Sequence, residues 1–135
     1  MPFRFEFDSQ NQILACRFRG RVTDEVLLDY YRDSGPRLMA TMSFRASLLD
    51  FSDVTSFEVS PETIRGIAWA PPIDPEPERT RVIIAPSSKV FGLARMFALH
   101  GEDTRPNLHV VRKLEEAYAL LGIIEPHFEP LPDSD

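Results

Sequence analysis

The stretch TRVIIAPSSKVFGLARMFALH, residues 80–100, decides the fold of this chain. From Thr80 to Ala85 there is no alternation of polar and apolar residues, which is typical of a strand buried on both faces. Pro86 and the two serines after it end that strand, and the apolar residues beyond them recur at helical spacing. A buried strand followed directly by a helix predicts a βα unit, and therefore parallel pairing in a sheet covered by helices.

Alternating residues near the N-terminus predict an antiparallel hairpin. In residues 3–8 phenylalanines alternate with charged side chains, and a second alternation of apolar and basic residues runs from Leu14 to Arg21. A period of two indicates strands with one buried and one solvent-facing side. The polar residues 8–12 between the two runs are typical of a turn.

Helix signals and further apolar runs complete the pattern. The helices that follow Thr23 and Ser60 begin at a capping side chain with acidic residues or proline in the first turn. Gly35 and Pro36 are expected to end or kink the first of them. The elements predicted outside residues 80–100 and the hairpin are a helix from Thr23, a strand at 46–51, a helix from Ser60 to the prolines at 71 and 72, a strand at 108–111 and a helix at 113–121.

The order of these elements predicts an α/β fold. A hairpin followed by alternating strands and helices gives a mixed β-sheet of about five strands with about four flanking helices. We predict a single domain over residues 1–122, followed by a Pro-rich acidic tail at 123–135 whose acidic end is loose. The acidic, Pro-rich segment 74–78 is expected to be a solvated loop.

Composition excludes several classes of protein. The chain has 135 residues, of which 43% are hydrophobic and 27% charged, and this is globular composition. A net charge of −6 argues against a nucleic-acid partner bound through its phosphates. No apolar run reaches the roughly 18 residues of a membrane span. No secretory signal is visible and Cys16 is the single cysteine, so we expect a cytoplasmic protein.

Three stretches resemble the STAS-like superfamily, in its SpoIIAA-like branch. They are LDFSDV at 49–54, FGLARMF at 91–97, and EEA at 115–117 closing with LG at 121–122. The resemblance runs from about residue 12 to residue 122 and implies a mixed sheet flanked by helices. It also implies a non-enzymatic regulatory module that contacts a protein partner, in a branch largely without assigned function.

The well-studied relatives are anti-sigma factor antagonists, which are switched off by phosphorylation of a serine at the start of the second helix. Their pattern is Asp-Ser-Ser-Gly, and the matching residues here are Glu58-Val59-Ser60-Pro61. Ser60 is the hydroxyl that aligns with the pattern. It is either a helix cap, the common role of serine before proline at a helix start, or a phospho-acceptor or partner-contact residue.

The SpoIIAA-like branch is also similar to CRAL-TRIO lipid-binding domains. This similarity implies an alternative function, in which the chain carries a small apolar or amphiphilic ligand between the sheet and the helices. The residues expected around such a ligand are Ile64, Trp69, Phe91 and Phe97.

A second candidate site lies at the start of the helix within residues 80–100. Ser87, Ser88 and Lys89 follow a buried strand, where helix amides bind anions, but the same residues make an ordinary helix start. Arg95 either clamps an anion or a carboxylate, such as that of Asp50, or covers apolar surface with its aliphatic stem.

Neither the spacing of the titratable residues nor the resemblance points to catalysis. The three histidines are scattered, without metal-ligand spacing or a nucleophile beside them. We therefore expect no catalytic residue, no metal and no cofactor. Self-association into a two-fold dimer is a further expectation, because many small domains form one.

Overall fold

A computed structural model describes residues 2–76 and 78–132 of the chain. Within those ranges one mixed sheet of six strands has the order β5-β4-β3-β2-β1-β6. β1 runs antiparallel to both of its neighbours, whereas β2 to β5 are mutually parallel. The strands are β1 (Phe3–Asp8), β2 (Ile13–Thr23), β3 (Ala46–Glu58), β4 (Thr80–Ile84), β5 (Leu108–Val111) and β6 (Glu129–Pro130).

Four helical segments cover this sheet in the described part of the chain. The first consists of α1 (Asp24–Asp29), a π-helical turn (Tyr30–Ser34) and α2 (Gly35–Met39). The others are α3 (Pro61–Trp69), α4 (Ser88–His100) and α5 (Leu114–Leu121). The predicted α/β fold with a mixed sheet and flanking helices is confirmed. No helix of residues 2–76 or 78–132 combines the length and the apolar character needed to cross a membrane.

The sheet buries apolar side chains on both faces. One face packs against α1, α3 and α4, through residues such as Phe18, Leu49 and Ile83. The opposite face packs against α5, through residues such as Leu48 and Ile84. Because β3 and β4 lie between these two layers, their apolar runs show no alternation.

The C-terminal segment adds a sixth strand that the sequence did not predict. β6 pairs with Glu6 and Phe7 of β1, and the backbone N–H of Leu131 donates to Phe5 O at 3.0 Å. Ile123 and Phe128 pack against the α5 side of the sheet. A two-residue strand that contains proline carries no periodic signal, so the sequence alone does not reveal it. The acidic end of the tail, which was predicted to be loose, includes residues 133–135, and these lie outside the described residues.

Asp8 links the C-terminal segment to the β1–β2 hairpin by hydrogen bonds. Its carboxylate is fully buried and accepts hydrogen bonds from the backbone N–H of His127 at 2.9 Å and of Asn11 at 2.9 Å. Burial raises the pKa of Asp8, but these donors outweigh it and hold the pKa below its ordinary value. The ionised form of Asp8 therefore joins the chain end to the β1–β2 turn.

The sequence predicted that Gly35 and Pro36 end or kink the first helix; in the structure the helical segment continues past them, and they follow a widened turn. The N–H of Gly35 donates to Tyr30 O, five residues back, and Pro36 then lies at the start of α2, where it needs no N–H. A Cβ atom at Gly35 would lie 2.7 Å from Tyr30 O and 2.9 Å from Cδ1 of Ile73. Only glycine fits this close approach.

The acidic loop 74–78 is not fully solvated. Asp74 is only 2% exposed, its Oδ1 accepts the N–H of Glu76 at 2.8 Å, and its Oδ2 lies 3.4 Å from Nε of Arg79. A charged side chain in a Pro-rich stretch gives no sign of burial in the sequence, because its partner becomes apparent only when the chain folds. Pro77 of this loop lies outside the described residues.

The close contact at Gly35 predicts that alanine has opposite effects on stability at two helical glycines, Gly35 and Gly92. Gly35→Ala is expected to lower the free energy of unfolding by about 1–3 kcal/mol, because the new methyl group meets backbone. Gly92→Ala in α4, where a Cβ meets no atom within 4 Å, is expected to raise it by about 0.5–1 kcal/mol. Urea denaturation of both variants measures the difference, and equal effects would contradict the account.

The hydrogen bonds to the Asp8 carboxylate predict that the stability of the fold depends on pH. Because its pKa is lower in the folded than in the unfolded chain, its contribution to stability is complete above the unfolded value and is lost as the pH falls through the folded value. Asp8→Asn is expected to lower the free energy of unfolding by about 1–2 kcal/mol at neutral pH and by progressively less in acid. Urea denaturation at several pH values is the measurement. The exposed Asp103→Asn serves as control. A cost that does not diminish in acid would refute this role.

Candidate functional site

The N-termini of α1, α3 and α4 lie together at the carboxyl edge of the sheet. β2, β3 and β4 run parallel, so their carboxyl ends meet at one edge, and a helix begins directly after each of them. Ser60 and Ser87, two of the predicted site residues, therefore lie at the same edge. Ligands of open α/β sheets usually bind at such an edge.

Ser60 links two of these helix starts. Its Oγ accepts the backbone N–H of Thr63 at 3.2 Å, which makes it the N-cap of α3, and lies 3.0 Å from the hydroxyl of Thr63. Its own N–H donates to Oδ1 of Asp24, in the first turn of α1, at 2.8 Å. The side chain is half-buried. We call Asp24, Ser60 and Thr63 the Ser60 junction.

An ion pair lies beside the Ser60 junction, across the ends of β2 and β3. Nε and Nη2 of Arg21 each donate to Glu58 at 2.8 Å, and the Ser56 hydroxyl donates to the same carboxylate at 2.7 Å. These hydrogen bonds lower the pKa of Glu58 to about 2, and the positive charge of Lys89 contributes. Glu58 therefore stays ionised and is unsuited to moving protons near neutral pH.

The residues at the start of α4 are exposed. Ser87 caps the helix, with its Oγ accepting the N–H of Val90 at 3.2 Å, and Ser88 lies 3.4 Å from Nη2 of Arg112. Lys89 is exposed and contributes charge at the edge. The structure thus brings Ser87, Ser88 and Lys89 to the edge that carries Ser60.

Arg95 lies elsewhere on α4 and does not meet Asp50. Its guanidinium is 5.8 Å from the centre of the Phe91 ring, which Arg112 approaches at 5.1 Å. Asp50 instead accepts a hydrogen bond from Nη1 of Arg17 at 2.6 Å, on the face of the sheet that packs against α5. Arg95 is exposed and contacts its own helix.

The four residues expected around an apolar ligand do not form one cleft. Ile64 and Phe97 line a cavity of about 30 Å3 between the sheet and the helices, which is too small for a lipid chain. Trp69 is 71% exposed at the end of α3, with its ring edge-on to His100 at 6.0 Å. Phe91 is half-buried against the core, with the guanidinium groups of Arg95 and Arg112 near its ring. The structure thus brings Ile64 and Phe97 together, whereas Trp69 and Phe91 do not line their cavity.

A surface groove begins beside the Ser60 junction and runs along α3. It has a volume of about 310 Å3 and separates α3 from α1 and the π-helical turn. Its apolar part comes from Leu28, Tyr31, Ile67 and Ile73, while Arg32 and Glu62 bring charges to it. Glu62, Thr63, Gly66 and Ala70 form its α3 wall. We call this feature the α1–α3 groove.

The sequence alone did not reveal the α1–α3 groove. One signal for it is Gly66, which lies in mid-helix and where a Cβ would meet no atom within 4 Å. Glycine in a helix costs stability relative to alanine. Its presence here leaves the wall of the groove without a side chain at this one position.

The thiol and the histidines do not form a reactive group. Cys16 is buried in the core, where burial and the charge of Asp50 raise its pKa well above the ordinary value, so it stays a thiol. Over residues 2–76 and 78–132 no three His, Cys, Asp or Glu side chains come together as metal ligands do.

Comparison of the chain with protein-family models, with curated proteins and with solved structures finds no match. The function is therefore inferred from the geometry at the carboxyl edge of the sheet.

The capping geometry predicts which serines stabilise the fold. Ser60→Ala and Ser87→Ala are each expected to lower the free energy of unfolding by about 1 kcal/mol, because a backbone N–H of α3 or α4 loses its acceptor. Ser88→Ala, which removes no cap, is expected to change it by less than about 0.5 kcal/mol. Urea denaturation of the three variants is the measurement. A Ser88→Ala effect as large as the other two would show that the caps are wrongly assigned.

Proposed function

We propose that this chain is a non-enzymatic cytoplasmic binding module of the SpoIIAA-like type, which contacts a protein partner through the Ser60 junction and the α1–α3 groove. The observation that carries the proposal is the position of the groove, which opens beside Ser60 and follows α3 towards Pro71. A groove between two helical elements, apolar within and charged at Arg32 and Glu62, suits an apolar side chain inserted by another protein.

The size of the groove favours a protein side chain over a small molecule. Small-molecule pockets have volumes of about 300–1,000 Å3, and the groove, at about 310 Å3, lies at the bottom of that range. The cavity that Ile64 and Phe97 line, where a carried ligand was expected, has a volume of only about 30 Å3. Carrying a small ligand therefore has less support as the function than binding a protein partner.

The charges near Ser60 suggest how modification would act on the proposed contact. A phosphate on Ser60 would place a dianion beside the carboxylate of Asp24, which accepts the Ser60 N–H. Like-charge repulsion would then loosen the Ser60 junction. A negative charge at this position is expected to weaken partner binding.

Photo-crosslinking tests the proposal at the groove itself. A photoreactive benzoylphenylalanine in place of Ala70 lies at the end of the groove, and the same residue in place of Gly92 projects from α4. Ala70 is exposed and a Cβ at Gly92 meets no atom within 4 Å, so both variants are expected to fold. Irradiation in cells of the source organism is expected to give one discrete heavier product at position 70, which Ser60→Glu abolishes.

The same experiment distinguishes the alternatives. No product at position 70, or the same products at 70 and 92, would contradict the proposal. A product of twice the chain's mass would show that the groove contacts a second copy, and so support the dimer instead of a different partner.

Purified components give the quantitative test. Once the crosslinked protein is identified, Gly66→Met is expected to weaken its binding about tenfold, because the longer side chain fills the groove. Gly92→Met is the matched control and is expected to leave affinity unchanged. Isothermal titration calorimetry measures both. Equal affinities for the two variants would exclude the groove as the contact.

A further inference from the structure

The outer side of β5 has no partner strand among the described residues, because the sheet ends there. On the inner side, the carbonyls of Asn107 and Val111 accept hydrogen bonds from backbone N–H groups at the two ends of β4, at 2.9 and 2.8 Å. Successive residues of a strand direct their backbone groups to opposite sides, so those of Leu108 and Val110 point away from β4. We call this outer side of the strand the β5 edge.

The side chains of β5 show that this part of the sheet is open to solvent. Residues 81–84 of β4 are all buried, whereas Leu108, Val110 and Val111 are only half-buried and His109 is exposed. Outward N–H and C=O groups beside partly exposed apolar side chains offer a template on which a further strand can pair.

The two outer strands of the sheet differ in how they are protected. At the other end of the sheet, β6 has only two residues, and one of them is Pro130, which has no N–H to donate. β5 has the sequence Leu-His-Val-Val, with neither a proline nor an acidic or basic residue within it. Proteins commonly use prolines and charges to prevent pairing at an exposed strand, so the β5 edge is the one where pairing is permitted.

The charges around β5 indicate which strand it can accept. Glu102 and Asp103 precede the strand, Arg112 and Lys113 follow it, and all four are exposed. A second copy that runs antiparallel brings the acidic residues of each chain towards the basic residues of the other. A copy in parallel orientation would bring like charges together. The order of charges therefore favours an antiparallel second copy, in which both chains use the same surface.

We propose that two copies of this chain pair antiparallel through the β5 edge, about a two-fold axis at His109, and so join their sheets into one. A hydrogen-bonded antiparallel pair needs two residues whose backbone groups both point outward. With the axis at His109, Leu108 of each copy lies opposite Val110 of the other, and every hydrogen-bonded residue belongs to β5. The two His109 residues then form a pair without hydrogen bonds between them.

This dimer leaves the α1–α3 groove accessible, because none of the residues that line the groove belongs to β5. The inference therefore does not rest on the proposed function of the groove. It also gives a closed assembly of two chains, since Pro130 blunts the opposite side of each sheet and does not favour further growth.

Sedimentation equilibrium of the full chain tests the proposal. The parent chain is expected to show twice the mass of one chain. His109→Lys and His109→Glu are each expected to weaken the dimer about tenfold or more, because like charges meet at the axis. His109 is exposed, so both variants are expected to fold, and the uncharged His109→Gln is the matched control that should dimerise like the parent.

A mixture of the two charged variants makes the test specific for this axis. Equal amounts of His109→Lys and His109→Glu are expected to recover the dimer, because opposite charges then lie across the axis. A parent chain that is monomeric at every concentration would overturn the proposal. So would dimers that tolerate both charged variants, or a mixture that stays monomeric.

A disulfide tests the register. Residues in an antiparallel pair without hydrogen bonds have Cα atoms about 4.5 Å apart, a separation that a disulfide can span. His109→Cys is therefore expected to give a covalent dimer on mild oxidation, whereas Cys16 is buried and does not compete. Ala119→Cys, exposed on α5, is the control and is expected to stay a single chain. No covalent dimer at position 109, or equal crosslinking at 109 and 119, would show that the axis is wrongly assigned.

Discussion

The parallel pairing of β3 with β4, between two apolar layers, is the constraint on which the rest of the structure depends. Leu49 and Ile83 face α1, α3 and α4, while Leu48 and Val82 face α5, so the paired stretches 46–50 and 80–84 have no exposed face. Side chains of this region that bind anything must then lie at the ends of the strands or on the helices. This constraint places the Ser60 junction at the carboxyl edge of the sheet.

Several arginine side chains donate hydrogen bonds to backbone carbonyls at the ends of helices and in loops. Arg105 donates to carbonyls at the end of α3, Arg45 donates to the Leu121 carbonyl at the end of α5 at 2.8 Å, and Arg79 donates to the Phe44 carbonyl at 2.6 Å. A guanidinium serves this purpose because it has five donors in a fixed plane.

Local signals in the sequence predicted most of the fold and the caps, because they depend on neighbouring residues. The roles of Thr23, Ser60 and Ser87 as helix caps follow from residue type and position, and the structure confirms them. The burial of Asp74 and the pairing of Asp50 with Arg17 could not be predicted, since partners distant in the chain meet only in the fold. The α1–α3 groove is a space between elements, and no residue pattern encodes it apart from Gly66.

The central claim is that the chain acts by presenting the Ser60 junction and the α1–α3 groove to another protein. Hydrogen–deuterium exchange of the chain, alone and with the crosslinked partner, measures this most directly. The account predicts slower exchange in residues 28–32 and 60–67 on binding, with residues 88–100 of α4 unchanged. Slower exchange confined to α4 or α5, with the groove unchanged, would contradict it.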